Sequence, residues 1–394
     1  MPRRTLISAF KAFTSLQVRI VPIEFSRWRF LLAAALLAGL AGCSNLPPYY
    51  SRLNEQTQTP LADPGSEQVF FATDRKIVSG QFTGEPGPVT YGDCTVKAPV
   101  INDIGHGAVL ERLSQDFSNI KVGDFNFGHV NHSGLTSCSD MITAAHAQAA
   151  FASGKDLLIF VHGWTTSFPD AVTIVGELDN DLGQSMTPIA FSWDTQPFLY
   201  TEDEDNAEVA AIDLAAFLDC LIRDAHVAPG RIHLVCLSLG ARVVTAALLE
   251  MSSESDPAVS PVPGKQLADL VFAAPDVNRT VFINRLETRH VARMARRTTI
   301  YCNCEDRAMF LSEIFHGGDT PRAGDAGANT VVLPDAETVD VSLHSLSFDG
   351  HLYLIDDRLV IDDLYMLLVL GQPASRRNLY HASKDHLRYW LLRP

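Results

Sequence analysis

The sequence predicts an α/β protein built on a mostly parallel, doubly wound sheet. From Met141 onward, strand and helix signals alternate along the chain, a pattern that gives right-handed βαβ crossovers. The strand runs are continuously apolar, as expected of strands buried on both faces of a parallel sheet. Residues with catalytic chemistry follow the ends of these runs, where ligands bind in such folds.

The elements read in order. Val69–Ala72 and Pro88–Tyr91 read as strands in an N-terminal region where short apolar runs alternate with Gly, Pro and Asn. Ala144–Ser153 is Ala-rich and reads as a helix. Strand Asp156–Val161 follows, then a helix from Pro169, strand Thr187–Trp193 and a helix over Asn206–Arg223. Strand Arg231–Leu237, helix Ala241–Met251, and strands Leu267–Ala274, Thr298–Cys304 and Thr338–Leu346 come next. A final helix lies near Val360–Leu370.

The chain has 394 residues, 46% hydrophobic and 20% charged, which is globular composition. Its net charge is −15, yet the first 30 residues are strongly basic. The remainder carries about −20, an acidic body that argues against nucleic acid as a partner. After Arg27-Trp28-Arg29 comes the apolar run Leu31–Gly42, shorter than the ~20 residues that span a bilayer. It fits the apolar core of a secretory signal. The run ends in Leu40-Ala41-Gly42-Cys43, which resembles the lipobox of bacterial lipoproteins. The resemblance implies cleavage before Cys43 and acylation of its thiol, so the membrane partner is reached through that anchor. Ser44 in the next position implies sorting to the outer membrane, facing the periplasm. The expected organisation is a signal peptide over 1–42, a flexible tether over 43–65 and one α/β domain over 66–394. Within that domain, 66–140 holds N-terminal strands and loops and 141–380 the core. Cys220 and Cys236 read as small core residues, and Cys302 and Cys304 as same-face neighbours on one strand that do not bridge. Cys94 and Cys138, in polar surroundings, are the candidate disulfide for an oxidising compartment.

Ile232–Leu237, Ser238 and Leu239–Arg242 read as strand, sharp turn, then helix. A serine at such a turn is raised above the sheet edge, with a helix N-terminus aimed at the reacting centre. The Leu239 N–H then donates to a developing oxyanion. Small residues are needed two before and two after the serine; here they are Cys236 and Gly240. The strand Asp156–Val161 ends in His162-Gly163-Trp164, where Gly163 allows a tight turn and the Trp164 N–H supplies a second oxyanion donor. His162 is expected to brace this loop by hydrogen bonds rather than act as the base. The base should follow a late strand: His351, in the loop after Phe348-Asp349-Gly350, fits, while His344 falls inside the strand. Two acids follow earlier strands, Asp306 and Asp276, and position alone leaves both open.

Phe71-Ala72-Thr73-Asp74-Arg75, Phe160-Val161-His162-Gly163, Ala190-Phe191-Ser192-Trp193, Ala273-Ala274-Pro275-Asp276-Val277, Asp306-Arg307-Ala308 and Gly350-His351 together resemble a bacterial family of largely uncharacterised esterase/lipase-like proteins. That family lies in the α/β-hydrolase superfamily, and the similarity runs from about Val69 to about Leu379. The resemblance implies the α/β-hydrolase fold, with Ser238 as nucleophile, Asp306 as acid and His351 as base. Asp276 would then serve a structural turn, bonding backbone N–H groups of Val277–Arg279. The chain departs from the family at the elbow, where Ala-His-Ser-Met-Gly-Asn becomes Cys236-Leu237-Ser238-Leu239-Gly240-Ala241.

Other features read as structural. Glu202–Asp205 is an acidic run that suits the approach to a helix N-terminus. His106, His129 and His132 lack a completing ligand set, so no metal and no other cofactor is expected. Arg293, Arg296 and Arg297 read as a solvated face. Two functions remain: a serine hydrolase of a small-molecule or lipid ester or thioester, and a non-catalytic envelope lipoprotein that keeps the fold as a binding module. Leu237 beside the nucleophile is the feature that favours the second.

Overall fold

The computed structural model describes residues 66–97, 128–131, 138–143, 154–196, 200–223, 227–252, 266–318, 320–342 and 350–392. All belong to the second of two units into which the chain divides, Leu61–Pro394. The signal, Cys43, the tether, the helix over Ala144–Ser153, His106, His132 and His344 lie outside the described residues, as does the side chain of His129.

In chain order the elements are β1 (Ser66–Val78), β2 (Gln81–Lys97), β3 (Gly128–Asn131), α1 (Cys138–Thr143), β4 (Asp156–Val161) and α2 (Phe168–Asp181). Then come β5 (Met186–Ser192), α3 (Tyr200–Arg223), β6 (Ile232–Leu237), α4 (Gly240–Met251), β7 (Leu267–Ala273) and α5 (Arg279–Ile283). The rest are β8 (Ala295–Cys302), α6 (Arg307–Phe315), β9 (Glu337–Asp340), α7 (Tyr353–Asp356), α8 (Arg358–Leu364), β10 (Leu379–Lys384) and β11 (Leu387–Leu392). One sheet holds all eleven strands in the order β10-β11-β9-β8-β7-β6-β4-β5-β1-β2-β3. The strands from β1 through β5, β4, β6, β7 and β8 to β9 and β11 pair in parallel. Antiparallel pairs close both edges: β1–β2–β3 at one, β10–β11 at the other.

Period-two alternation sends side chains of each central strand into two cores. Leu157, Ile159 and Val161 join Leu234 and Cys236 under α3 and α4, through Leu214, Phe217, Val243 and Val244. Leu158 and Phe160 join Val235 and Leu237 on the opposite face, with Val172 and Val175 of α2 and Val360 and Leu364 of α8. Helices thus cover both faces, the doubly wound arrangement expected for continuous apolar strands.

Four expectations are corrected. Cys138 pairs with Cys220, tying α1 to α3, while Cys94 is a free thiol buried in the core. Cys302 ends β8 but Cys304 lies in the following turn, exposed, so the two do not share a strand. The acidic run Glu202–Asp205 lies inside α3, which begins at Tyr200. Asp203 is buried and accepts from the Gln196 N–H, and Glu204 pairs with Arg242. Arg297 is half-buried rather than solvated: its guanidinium pairs with the buried Asp269 across β7–β8.

Candidate active site

Ser238 sits in the turn between β6 and α4 with a left-handed φ of 54°. A side chain there costs on the order of 1–3 kcal/mol and persists only where surrounding bonds hold it. Here the Ser238 N–H donates to Ala273 O at 2.9 Å, and Ser238 O accepts from the N–H groups of Ala241 and Asp276, each at 3.0 Å. Glycine is obligatory at Gly240, where an added Cβ would lie 2.5 Å from Val161 O and 2.6 Å from His162 O. Cys236 fills the other small position, its thiol donating to Val271 O on β7. Leu237 points into the core beneath α2 and α8, away from the turn. The altered residue is therefore a packing residue. Leu239, the residue after the serine, is the N-cap of α4.

Asp306 is the N-cap of α6. Its Oδ1 accepts from the N–H groups of Ala308 and Met309, at 2.9 and 3.0 Å. Its Oδ2 lies 2.7 Å from His351 Nδ1. The carboxylate side chain is wholly buried and the imidazole 11% exposed. The carboxylate accepts from Nδ1–H, which fixes the tautomer and leaves Nε2 as the basic nitrogen. Gly350, at φ 70°, brings the loop carrying His351 against the end of β8: its carbonyl accepts from Asn303 Nδ2 at 2.6 Å. Tyr353, two residues beyond the histidine, ties this loop to the elbow. Its hydroxyl accepts from the Ala274 N–H at 2.7 Å and donates to Tyr301 O at 2.9 Å. Ala274 is the neighbour of the residue that holds the Ser238 N–H.

The His162–Trp164 loop faces the serine directly. An added Cβ at Gly163 would lie 2.8 Å from Ser238 Cβ, so only glycine allows the approach. His162 is fully buried, stacked on Trp193, and its Nδ1 donates to Gly163 O at 2.8 Å. Burial foremost, and then the Arg75 guanidinium, holds its pKa down at about 3, so it stays neutral and braces the loop. The structure thus brings Asp306 to His351 and Gly163 to Ser238.

With this geometry the fold is that of an α/β-hydrolase. Residues 142–333 match a family described as alpha/beta hydrolase of unknown function (DUF900). No curated protein matches the chain. The matched stretch holds Ser238, Asp306 and the His162–Trp164 loop; His351 and Arg75 lie outside it.

Asp276 lies elsewhere than expected. It does not bond the Val277–Arg279 backbone, where Asn278 caps α5 instead. Its carboxylate accepts from Tyr200 OH at 2.5 Å, Ser312 Oγ at 2.7 Å and Arg322 Nε at 2.6 Å. Three residues escaped the sequence reading: Arg75, Asn303 and Tyr353. Only Arg75 carried a signal, as the end of the Phe71–Arg75 motif.

Proposed function

We propose that the chain is a serine hydrolase of carboxylic esters or thioesters, exported and lipid-anchored through Cys43. The observation that carries the reading is the contact of Asp306 Oδ2 with His351 Nδ1 at 2.7 Å, at the same sheet edge as an elbow serine. Ser238 Oγ attacks the acyl carbon while His351 Nε2 takes its proton. The Leu239 and Trp164 N–H groups receive the oxyanion. When the tetrahedral adduct collapses, the bond to the alcohol or thiol breaks and His351 returns the proton to it. Water then attacks the acyl-serine by the same route. Ser238→Ala should cut turnover of p-nitrophenyl butyrate by ~10³-fold or more, and unchanged turnover would move the nucleophile elsewhere.

Two observations support export. Leu40-Ala41-Gly42-Cys43 has the lipobox pattern, and the Cys138–Cys220 disulfide suits an oxidising compartment. Cys43→Ala should accumulate unprocessed precursor; a mature, acylated species from that variant would contradict lipidation at Cys43.

A further inference from the structure

Arg75 ends the Phe71–Arg75 motif, to which the proposed mechanism gives no role. It is 2% exposed. A buried guanidinium ordinarily meets a carboxylate, because an uncompensated buried cation is costly. Among the described residues, every hydrogen bond of Arg75 goes to an uncharged group. Nε donates to Ser192 Oγ at 2.9 Å and Nη1 to Thr83 O at 3.2 Å. Nη2 donates to Thr166 O at 2.6 Å and faces His162 Nε2 at 3.3 Å. Burial lowers its pKa only to about 10, so the cation persists at neutral pH. The carboxyl groups of Asp74, Asp194, Asp203 and Asp170 favour the charged form through space, and Asp74 itself is pushed up to about 8, chiefly by burial and then by Asp194.

These bonds grip the proposed oxyanion loop at both ends. At its far end Arg75 holds Thr166 O directly, just past Thr165, whose φ is 59°. At its near end Arg75 donates to His162 Nε2, which commits the ring proton to Nδ1, and Nδ1 holds Gly163 O. In a trans peptide the N–H points opposite to the carbonyl. Pinning Gly163 O against His162 therefore turns the Trp164 N–H away from His162, beside the residue that abuts Ser238.

We propose that Arg75 is a positioning residue for the reaction at Ser238: its buried cationic fork sets the Gly163–Thr166 loop so that the Trp164 N–H meets the oxyanion. The inference rests on the serine-hydrolase reading. Labelling of the wild type by a fluorophosphonate probe separates the two. An unlabelled Ser238 removes the hydrolase reading and the inference with it; a labelled wild type leaves the inference to the variants.

Arg75→Gln and Arg75→Lys would be compared with wild type on p-nitrophenyl butyrate. Two inhibitors complete the test: an alkyl trifluoromethyl ketone, which adds to the serine and carries an oxyanion, and the matching methyl ketone, which binds without adding. Arg75→Gln should lose ~30-fold or more in kcat with KM within ~3-fold, short of the full loss of a donor. Affinity for the trifluoromethyl ketone should fall in the same proportion, and that for the methyl ketone should hold. Arg75→Lys keeps the charge but cannot reach Ser192 and Thr166 together, so it should lose ~10-fold. Should Arg75→Gln fail to fold, Arg75→Lys decides alone. Wild-type constants in a folded variant, or equal losses for both ketones, would overturn the proposal.

Discussion

Asp276 and Asp306 both follow strands of the sheet, yet their side chains have opposite surroundings. Asp306 divides its oxygens between a helix cap and His351. Asp276 spends both on Arg322, Tyr200 and Ser312, and its N–H on Ser238 O. Asp306→Asn keeps an oxygen for the cap but offers Nδ1 a donor, so the fold should survive while turnover falls ~10⁴-fold. Asp276→Asn weakens a buried ion pair, whose breakage costs about 3–5 kcal/mol, so the melting temperature should drop more than the activity of the folded fraction. A stable but inactive Asp276→Asn beside an active Asp306→Asn would contradict both assignments. The sequence offered the two aspartates without a choice from position, because partners such as Arg322 lie far along the chain. Asp74 gives a pH dependence. Its pKa is raised to about 8 in the fold from 3.8. The folded state keeps a proton that the unfolded chain releases above pH 4, so this stability is full below that pH and lost as pH rises toward 8. Asp74→Asn should therefore gain in melting temperature over wild type as pH goes from 5 to 8; a constant gap would contradict the shift.

The central strands were legible because their side chains alternate between two apolar cores, which leaves an unbroken apolar run in the sequence. β4 spans Asp156–Val161, as the sequence predicts. The terminal hairpin β10–β11 was not legible. Its strands are largely half-buried or exposed, and the turn uses Asp385 and His386 at φ 50° and 65° in place of the Asn-Gly that marks such turns. Helix α6 was hidden for a different reason: its capping residue, Asp306, was read only as an acid. The disulfide was misassigned because spacing carries no connectivity. Cys138 and Cys220 are 82 residues apart, and a crosslink of that span contributes about 2–4 kcal/mol. A Cys138→Ala/Cys220→Ala chain should therefore melt lower than wild type, and a reductant should lower wild type but leave the double variant unmoved. Equal sensitivity of the two to reductant would place the stabilising bond elsewhere.

At the scale of the molecule, one sheet edge collects residues from Arg75 to His351. β1 brings Arg75 beside the loop after β4, β6 brings Ser238, and β8 with α6 brings Asp306 to the loop carrying His351. Parallel strands make this convergence possible, because every strand then ends at the same edge. That logic was legible in the order of motifs along the chain; the bonds that unite them were not. Tyr353 joins the loop carrying His351 to the backbone beside Ser238, and its hydroxyl resembles any other core tyrosine in the sequence. The proposed reaction requires Ser238 to be an activated nucleophile in this arrangement. Its most direct test is to treat the purified wild-type protein with a fluorophosphonate probe and map the modified peptide by mass spectrometry. One adduct is expected, on Ser238, strongly slowed in Asp306→Asn and absent in Ser238→Ala. No adduct under conditions that label an active serine hydrolase, or an adduct on another residue, would contradict it.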